Sequence, residues 1–209
     1  MTDWVAWHSD YEDPGSRLSQ RLAVVQEHVD RWLTETAPGD VTVLSFCAGD
    51  GRDLLEVLDR RSDAGRVSAT LLETDPCNVA CAVEHIDRSG LSRVEVRCVD
   101  AGSTHACAGA VPADLVLMCG VFGNISDEDV GRTIAALPQL CAAGALVIWT
   151  RHRRDPDLTP RIRGWFDDHG FAEEAFVAPA DGVWSVGVHR LVAAPEPLDP
   201  DRRLFVFTR

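Results

Sequence analysis

Short apolar runs of strand length alternate with helical segments along this chain, and this alternation constrains the fold more than any other feature. Val41–Phe46 is rich in apolar and β-branched residues and lacks a regular polar alternation. A strand that is buried on both faces of a parallel sheet has this composition. Comparable runs lie at Val67–Glu73, Val94–Val99, Ala113–Cys119 and Ala145–Thr150. The alternation therefore predicts a parallel sheet whose strands are connected by helices.

Helix start and stop signals separate these runs. Asp75 followed by Pro76 begins a helix that Gly90 ends, because an aspartate caps a helix and a proline suits its first position. Other helices are predicted over Ser16–Leu33, over Asp50–Arg61, after Ser126, and from Thr159 to Gly170. Late strands are predicted at Phe171–Ala178 and Leu204–Thr208, whereas Trp184–Leu191 has no assignment.

These elements predict one α/β domain. We expect a Rossmann-like, doubly wound and mostly parallel seven-stranded sheet with helices on both faces. Sheets of this kind bind ligands at the carboxyl ends of their strands, near the point where the strand order reverses. A chain of 209 residues without repeats or low-complexity tracts fits a single hydrophobic core.

Composition and charge exclude several functions. The net charge of −13 opposes binding to nucleic acid or to an anionic membrane. The absence of lysine excludes Schiff-base enzymes, Walker A ATPases and short-chain dehydrogenases. Seven cysteines and a first segment without signal-peptide character predict reduced thiols and a cytoplasmic protein. The arginines within 151–163 fit either a solvated helix start or a basic rim beside an active site.

The first strand runs into a glycine turn, Cys47-Ala-Gly-Asp-Gly-Arg-Asp53. Glycine at this place lets a ligand approach the backbone closely. A dinucleotide fold requires G-x-G-x-x-G, but the third position is Leu54. Asp50 and Asp53 would also repel a pyrophosphate from the helix N-terminus. The acidic turn better suits a cofactor that has a cationic centre and no phosphate.

The turn and the strand ends that follow it resemble the motifs of class I S-adenosylmethionine-dependent methyltransferases. The first motif of that family reads apolar, apolar, acidic, x, G-x-G-x-G. It places Ser45 at the acidic position and Cys47 at the first glycine, so both depart from the pattern, while Gly49 and Gly51 match it. The resemblance covers residues 36–150 well, and W-H-S-D-Y, G-V-F-G-N-I and W-T-R-H resemble uncharacterised actinobacterial members.

The resemblance also implies roles for residues at later strand ends. Glu73 falls where the family has the carboxylate that accepts both ribose hydroxyls, and a carboxylate suits a diol because it offers only acceptors. Asp100 matches the residue that accepts from the adenine amino group. Residues 119–125 match the segment that passes beside the cofactor and lines the acceptor pocket. The implied cofactor-binding residues are Ser45, Cys47, Ala48, Gly49, Gly51, Glu73, Thr74, Asp100, Ala101, Cys119 and Gly120.

Methyl transfer to an alcohol or phenol requires a base, and histidine is the natural one near neutral pH. His152 follows the fifth predicted strand on the ligand side, and His8 lies in an aromatic segment with Trp7 and Tyr11. We take His152, His8 and Tyr11 as catalytic candidates and Trp7, Asn124 and Arg151 as substrate-binding candidates. The alternatives are an exposed loop histidine at 152, core packing for the aromatic residues, and helix capping for Asn124.

The sequence thus predicts an S-adenosylmethionine-dependent methyltransferase acting on an oxygen or nitrogen atom of a small molecule. Residues 1–35 would act as a lid, 36–150 as the cofactor-binding core, and 151–209 as the substrate side of the sheet. We expect a monomer or homodimer that binds neither nucleic acid nor membrane. Cys77, Cys81 and His85 have the spacing that aligns residues on one face of a helix. We nevertheless expect no metal, because the chain has no C-x-x-C pair.

Three rival functions remain open. The first is an enzyme that consumes S-adenosylmethionine without methylating an acceptor. The second is a non-catalytic binding module on a degenerate methyltransferase fold, which the departures at Ser45 and Cys47 would favour. The third is a nucleic-acid methylase, which the net charge and the absence of an Asn/Asp-Pro-Pro-Tyr/Phe signature both oppose.

Overall fold

A computed structural model of the protein describes residues 13, 15–180 and 182–208. Its strands are β1 (Val41–Phe46), β2 (Val67–Glu73), β3 (Val94–Cys98), β4 (Ala113–Met118), β5 (Cys141–His152), β6 (Phe171–Val177) and β7 (Trp184–Leu191). Its α-helices are α1 (Arg17–Glu35), α2 (Arg52–Asp59), α3 (Pro76–Ser89), α4 (Asp127–Ala136) and α5 (Thr159–Asp168). Short 3-10 helices cover Ala64–Arg66, Thr104–Cys107 and Leu137–Gln139.

The seven strands form one sheet in the order β3-β2-β1-β4-β5-β7-β6. Strands β1 to β5 are parallel, and β7 runs antiparallel to its neighbours β5 and β6. The chain builds outward from β1 in one direction and from β4 in the other, so the strand order reverses between these two neighbours. This arrangement confirms the predicted doubly wound sheet and places a crevice at the carboxyl ends of β1 and β4.

Helices cover both faces of the sheet, as the sequence predicts. Alternate strand residues point to opposite faces, so Val43 packs with α1, α2 and α3 while Leu44 packs with α4 and α5. Each face has its own continuous hydrophobic core. Because both faces are buried, the strands need apolar residues at nearly every position, which explains the unbroken apolar runs.

Helix α1 packs on the face formed by α2 and α3. The Ser16 side chain caps it by accepting from the backbone N–H of Ser19 at 3.0 Å. Val25, Val29 and Leu33 are buried along one stripe, as the helical spacing predicts. Among the described helices, none combines the length and apolar character needed to cross a bilayer.

The late part of the chain departs from the prediction. The unassigned segment Trp184–Leu191 is β7, a central strand of the sheet, whereas 204–208 is not a sheet strand. Residues 199–208, here the C-terminal strap, make only isolated bridges, Ser103 with Arg203 and Ile125 with Phe207. The strap fails to join the sheet because its backbone bonds to loops, including Leu204 N–H to the Gly102 carbonyl at 2.8 Å.

The sequence did not predict β7, because small and polar residues interrupt its apolar pattern. Gly187 lies against Trp149 of β5, and a Cβ built on this glycine would lie 2.2 Å from the Trp149 ring. The Trp149 indole N–H donates to Nδ1 of the buried His189 at 3.1 Å. Trp149 and His189 are both buried, and Trp149 fills the space that a side chain at position 187 would occupy.

Gly187→Ala should overpack this core and lower the free energy of unfolding by about 1–3 kcal/mol. Gly164→Ala is the matched control, because Gly164 is exposed in α5 and a Cβ there would meet no atom within 4 Å. The control should raise stability by roughly 0.5–1 kcal/mol through helix propensity. Urea unfolding measures both changes, and equal effects of the two variants would contradict the packing role of Gly187.

His189 is a neutral core residue. Burial lowers its pKa from 6.5 to about 4, although the nearby charge of Glu173 favours the protonated form. The indole of Trp149 can only donate, so His189 accepts at Nδ1 and carries its proton on Nε2. The ring also stacks on Phe166 at a centroid distance of 4.2 Å. Protonating this imidazole would place a charge in the core.

The shifted pKa of His189 predicts acid sensitivity. Above pH 6.5 both folded and unfolded states hold a neutral imidazole, so the contribution to stability is complete. Between pH 6.5 and about 4 only the unfolded state binds the proton, so stability falls as the pH falls, by up to roughly 3 kcal/mol. We expect His189→Gln to lose this part of the pH dependence. Urea unfolding at pH 7.5 and 5.0 measures it, and identical pH slopes for both proteins would refute the assignment.

Candidate active site

The carboxyl ends of the five parallel strands meet at one edge of the sheet. This edge brings together the predicted cofactor residues of four segments, which lie at 45–51, 73–74, 100–101 and 119–120. The pKa of the Cys47 thiol indicates that these segments lie close together. Burial raises this pKa well above its usual range, and the negative charges of Glu73 and Asp100 raise it further. Residues after β1, β2 and β3 therefore share one electrostatic environment.

The glycine turn keeps its shape despite the cysteine at its first position. Cys47, Gly49 and Gly51 all have positive φ values, of 50°, 58° and 79°. A left-handed conformation at a residue with a Cβ costs about 1–2 kcal/mol. Ala48 N–H donates to the Leu72 carbonyl at 3.0 Å, which ties the turn to β2. Cys47 therefore adopts a left-handed backbone conformation, which glycine adopts most easily.

The two glycines of the turn serve different purposes. A Cβ on Gly51 would lie 2.7 Å from side-chain carbons of Leu55 and Leu71, so this glycine permits close packing of α2 on the sheet. A Cβ on Gly49 would meet no atom of the described residues within 4 Å. The same is true of Gly120, which follows β4 and has a φ of 74°. With respect to the described part of the chain, Gly49 and Gly120 thus leave backbone open on the two sides of the crevice.

Glu73 connects the turn to the end of β2. Its side chain is buried, at 7% exposure, and Oε2 accepts from the Gly49 N–H at 2.8 Å. Oε1 accepts from the N–H groups of Thr74 at 2.9 Å and Asp75 at 2.8 Å. A carboxylate has about four acceptor sites, so roughly one remains for a ligand hydroxyl. The Glu73 carboxylate is preorganised because three backbone donors fix it.

Asp100 contacts the C-terminal strap. Oδ1 accepts from the Gly102 N–H at 2.8 Å, and Oδ2 pairs with the Arg203 guanidinium at 2.7 Å. Burial opposes ionisation, but these two partners hold the pKa of Asp100 below its ordinary value. Arg203 is a neighbour that the sequence did not predict, since Leu204–Thr208 was expected to form a strand of the sheet. Ala101 is buried in the core, so only its backbone can face a ligand.

The loop after β4 is fixed by bonds to its own backbone. Gly120 N–H donates to Thr150 Oγ1 at 2.8 Å, and the Asn124 amide donates to the Gly120 carbonyl at 2.6 Å. The Arg151 guanidinium donates to the Phe122 carbonyl and lies 3.5 Å from Asp127. Arg151 is 8% exposed, and Asn124 is partly buried. Two predicted substrate-binding residues therefore shape this loop directly.

His152 ends β5 beside the same loop. Its Cδ2 atom lies 3.5 Å from the position that a Cβ on Gly123 would occupy. This places the imidazole at the carboxyl edge, next to the segment predicted to line the acceptor pocket. Ser45 is buried within β1, between Leu71 of β2 and Leu117 of β4. The remaining candidates Trp7, His8 and Tyr11 lie outside the described residues.

Asp53 follows the glycine turn, and the sequence singled it out only as part of the acidic turn. Burial raises the pKa of Asp53, and the charge of Arg21 and the neighbouring Cys119 thiol oppose this rise. Asp53 thus lies near the end of β4, at the point where the strand order reverses.

Within the described ranges, no group of three or more His, Cys, Asp or Glu side chains is arranged to hold a metal ion. His85, which shares helical spacing with Cys77 and Cys81, bonds through Nε2 to Asp59 at 2.7 Å.

Comparisons with known proteins identify the fold family. A family model described as "Putative methyltransferase" matches residues 16–165. No curated protein sequence matches the chain significantly. The chain therefore belongs to this methyltransferase family, within the class I S-adenosylmethionine-dependent methyltransferases.

Solved structures with low sequence identity share this fold. An O-methyltransferase family protein from Burkholderia thailandensis has 17% identity and a TM-score of 0.61, over 90% of this chain and 63% of that one. This chain therefore spans less than two thirds of that protein. Magnesium protoporphyrin IX methyltransferase from Synechocystis PCC 6803, solved with bound S-adenosylhomocysteine, has 14% identity and a TM-score of 0.65, over 90% and 93%. The [4+2]-cyclase SpnF has 15% identity and a TM-score of 0.59, over 83% and 82%.

A methyl group added to each glycine of the turn should lower the stability of the protein by different amounts. Gly51→Ala should lower the free energy of unfolding by roughly 2–4 kcal/mol, because backbone strain adds to the clash with Leu55 and Leu71. Gly49→Ala should cost about 1–2 kcal/mol, since its added methyl group meets open space. Urea unfolding of both variants isolates the packing contribution. Equal losses would show that Gly51 has no special packing role.

Proposed function

We propose that this protein transfers a methyl group from S-adenosylmethionine to an oxygen or nitrogen atom of a small molecule. The observation that carries this proposal is the carboxyl edge, where open backbone at Gly49 and Gly120 flanks the crevice beside the fixed carboxylate of Glu73. The cofactor, when bound, supplies a methyl group on a positively charged sulfur. All other steps belong to residues of this chain.

The adenosine portion is proposed to bind over β2 and β3. Glu73 would accept a ribose hydroxyl at its remaining acceptor site, and its three backbone donors mean that little reorganisation is needed. Asp100 would accept from the adenine amino group on the side that Arg203 and Gly102 leave accessible, since its side chain is 61% exposed. Thr74, Ala48 and Ala101 would contribute backbone contacts around the ligand.

The negative charges at this edge suit a cationic ligand. Glu73 and Asp100 come from different segments and both lie near the Cys47 thiol, and Asp53 follows the same glycine turn in the first turn of α2. Opposite charge attracts strongly where burial lowers the effective dielectric constant. The same charges would repel a pyrophosphate, so they favour a sulfonium nucleoside over a dinucleotide.

Proton removal is assigned to His152 among the described residues, with His8 and Tyr11 as further candidates. His152 lies against the loop after β4, where an acceptor hydroxyl or amine would be held. Asn124 and Arg151 are proposed to act on the acceptor through the shape of this loop, and Trp7 by direct contact. Residues 1–35 are proposed as the lid, 36–150 as the cofactor core and 151–209 as the acceptor side.

Calorimetric titration of S-adenosylmethionine and S-adenosylhomocysteine tests the proposal. The wild-type protein should bind both in the micromolar range, roughly 1–100 μM, and should not bind NAD. Glu73→Gln should weaken binding about 10–100-fold, because it removes a charged acceptor. Glu84→Gln, an exposed residue of α3, is the control and should bind as the wild type does.

The outcomes separate the rival functions. If the folded wild-type protein binds neither compound, the methyltransferase proposal fails and a binding module of another kind is favoured. If it binds, release of S-adenosylhomocysteine in the presence of small alcohols, phenols and amines tests transfer. Binding with cofactor breakdown but without acceptor dependence would favour an enzyme that uses the cofactor otherwise, and the [4+2]-cyclase neighbour shows that this fold is not confined to methylation.

A further inference from the structure

The connection between β3 and β4 differs from the other connections between parallel strands. Residues 99–112, all of which the structure describes, contain the short 3-10 helix Thr104–Cys107 and no α-helix, whereas α2, α3 and α4 make the other crossovers. The C-terminal strap lies beside this connection, where Leu204 and Phe205 are buried in the same core as Phe46. The strap therefore completes a face of the sheet that a crossover helix usually covers.

Hydrogen bonds attach the strap on two sides. On one side the Leu204 N–H donates to the Gly102 carbonyl at 2.8 Å, in the loop after β3. On the other side the Val206 N–H donates to Oδ2 of Asp129 at 3.1 Å, in the first turn of α4. These bonds fix the backbone of the strap next to Arg203, so the position of the Arg203 side chain is set by the fold.

Gly102 shows how closely the strap approaches the end of β3. A Cβ built on this glycine would lie 2.4 Å from the Phe205 carbonyl oxygen. It would also lie 3.0 Å from both the Arg203 guanidinium and the Asp100 carboxylate. A residue without a side chain is therefore needed for the strap to pass at this distance. The strap, Gly102 and Asp100 thus form one closely packed contact.

The two oxygens of Asp100 have different partners. Oδ1 accepts from the Gly102 N–H within its own loop, whereas Oδ2 accepts from Nη1 of Arg203 at 2.7 Å. The Asp100 side chain is exposed, so packing does little to define its orientation. Arg203 therefore fixes the direction of Oδ2. Because a carboxylate has about four acceptor sites, these two bonds leave roughly two for a ligand.

We propose that Arg203 is a positioning residue for adenine recognition, because it holds the Asp100 carboxylate in the orientation that accepts from the adenine amino group. This inference rests on the proposed function, in which Asp100 accepts from that group. An acceptor that is already oriented loses less conformational freedom when the ligand binds. The choice of base would then depend on the C-terminal strap as well as on the end of β3.

A purely structural role for Arg203 makes a different prediction. If its pair with Asp100 only fastened the strap, loss of the pair would weaken all purine nucleoside ligands equally or none. Loss of positioning would weaken only the ligands whose base carries the amino group. Exposed ion pairs contribute little to stability, so variants of Arg203 should fold. The ratio of two affinities on one variant therefore distinguishes the two roles.

The experiment titrates two ligands by calorimetry, S-adenosylhomocysteine and its analogue with hydrogen in place of the adenine amino group. The wild-type protein should bind S-adenosylhomocysteine about 5–30-fold more tightly, as expected for a hydrogen bond to an exposed carboxylate. Arg203→Gln should lower this preference about three- to tenfold, which corresponds to the cost of ordering one side chain. The variant should bind the analogue as the wild type does.

The control is Arg202→Gln, which removes the same charge from the neighbouring residue of the strap and should keep the preference. Arg203→Met is a second neutral variant, so either variant that folds decides the test. An undiminished preference in these variants, or equal weakening of both ligands, would overturn the inference. Equal affinity of the wild type for the two ligands would also overturn it and leave cofactor binding intact. Failure of the wild type to bind either ligand would instead overturn the proposed function.

Discussion

The buried carboxylate of Glu73 fixes the geometry on which the carboxyl edge of the sheet depends. It accepts hydrogen bonds from Gly49 in the turn after β1 and from Thr74 and Asp75 after β2. These bonds hold the ends of β1 and β2 in one arrangement. The glycine turn after β1 also sets where α2 begins. Because α2 begins there, Asp53 reaches the end of β4. Three backbone donors fix the Glu73 carboxylate, so its remaining acceptor site has a set direction for a ligand hydroxyl.

The C-terminal strap gives this edge a second support. Thr104 Oγ1 donates to the Asp199 carbonyl at 2.6 Å, and Thr208 N–H donates to the Asn124 carbonyl at 2.9 Å. The strap therefore links the loop after β3 to the loop after β4. Arg203 of the strap also pairs with Asp100. The strap therefore contacts both the proposed adenine side and the proposed acceptor side of the site. Such links between loops limit motion at the place where a ligand must be aligned.

The distribution of charge agrees with the proposed chemistry. Several arginines, such as Arg31 and Arg93, form exposed ion pairs with acids, and exposed ion pairs contribute little to stability. The Glu73 carboxylate at the carboxyl edge is different, because three backbone donors hold it. In the sheet, Trp149, Phe166 and His189 pack into one aromatic cluster. A fixed anionic edge above a dense core is suited to orienting a cationic ligand without reorganisation.

The sequence by itself determined the strands β1 to β6, the five helices, the glycine turn and Glu73 as a strand-end acid. These follow from local signals, namely unbroken apolar runs, capping residues and glycines, which act over a few residues. Only the tertiary structure decided the place of β7, the strap, the Asp100–Arg203 pair and the proximity of Asp53 to Cys119. The need for glycine at position 187 is explained only by its contact with Trp149. The environment of Asp53 is likewise explained only by the nearby end of β4. Each of these features depends on residues that are distant in the chain and adjacent in space, so no local pattern could encode them.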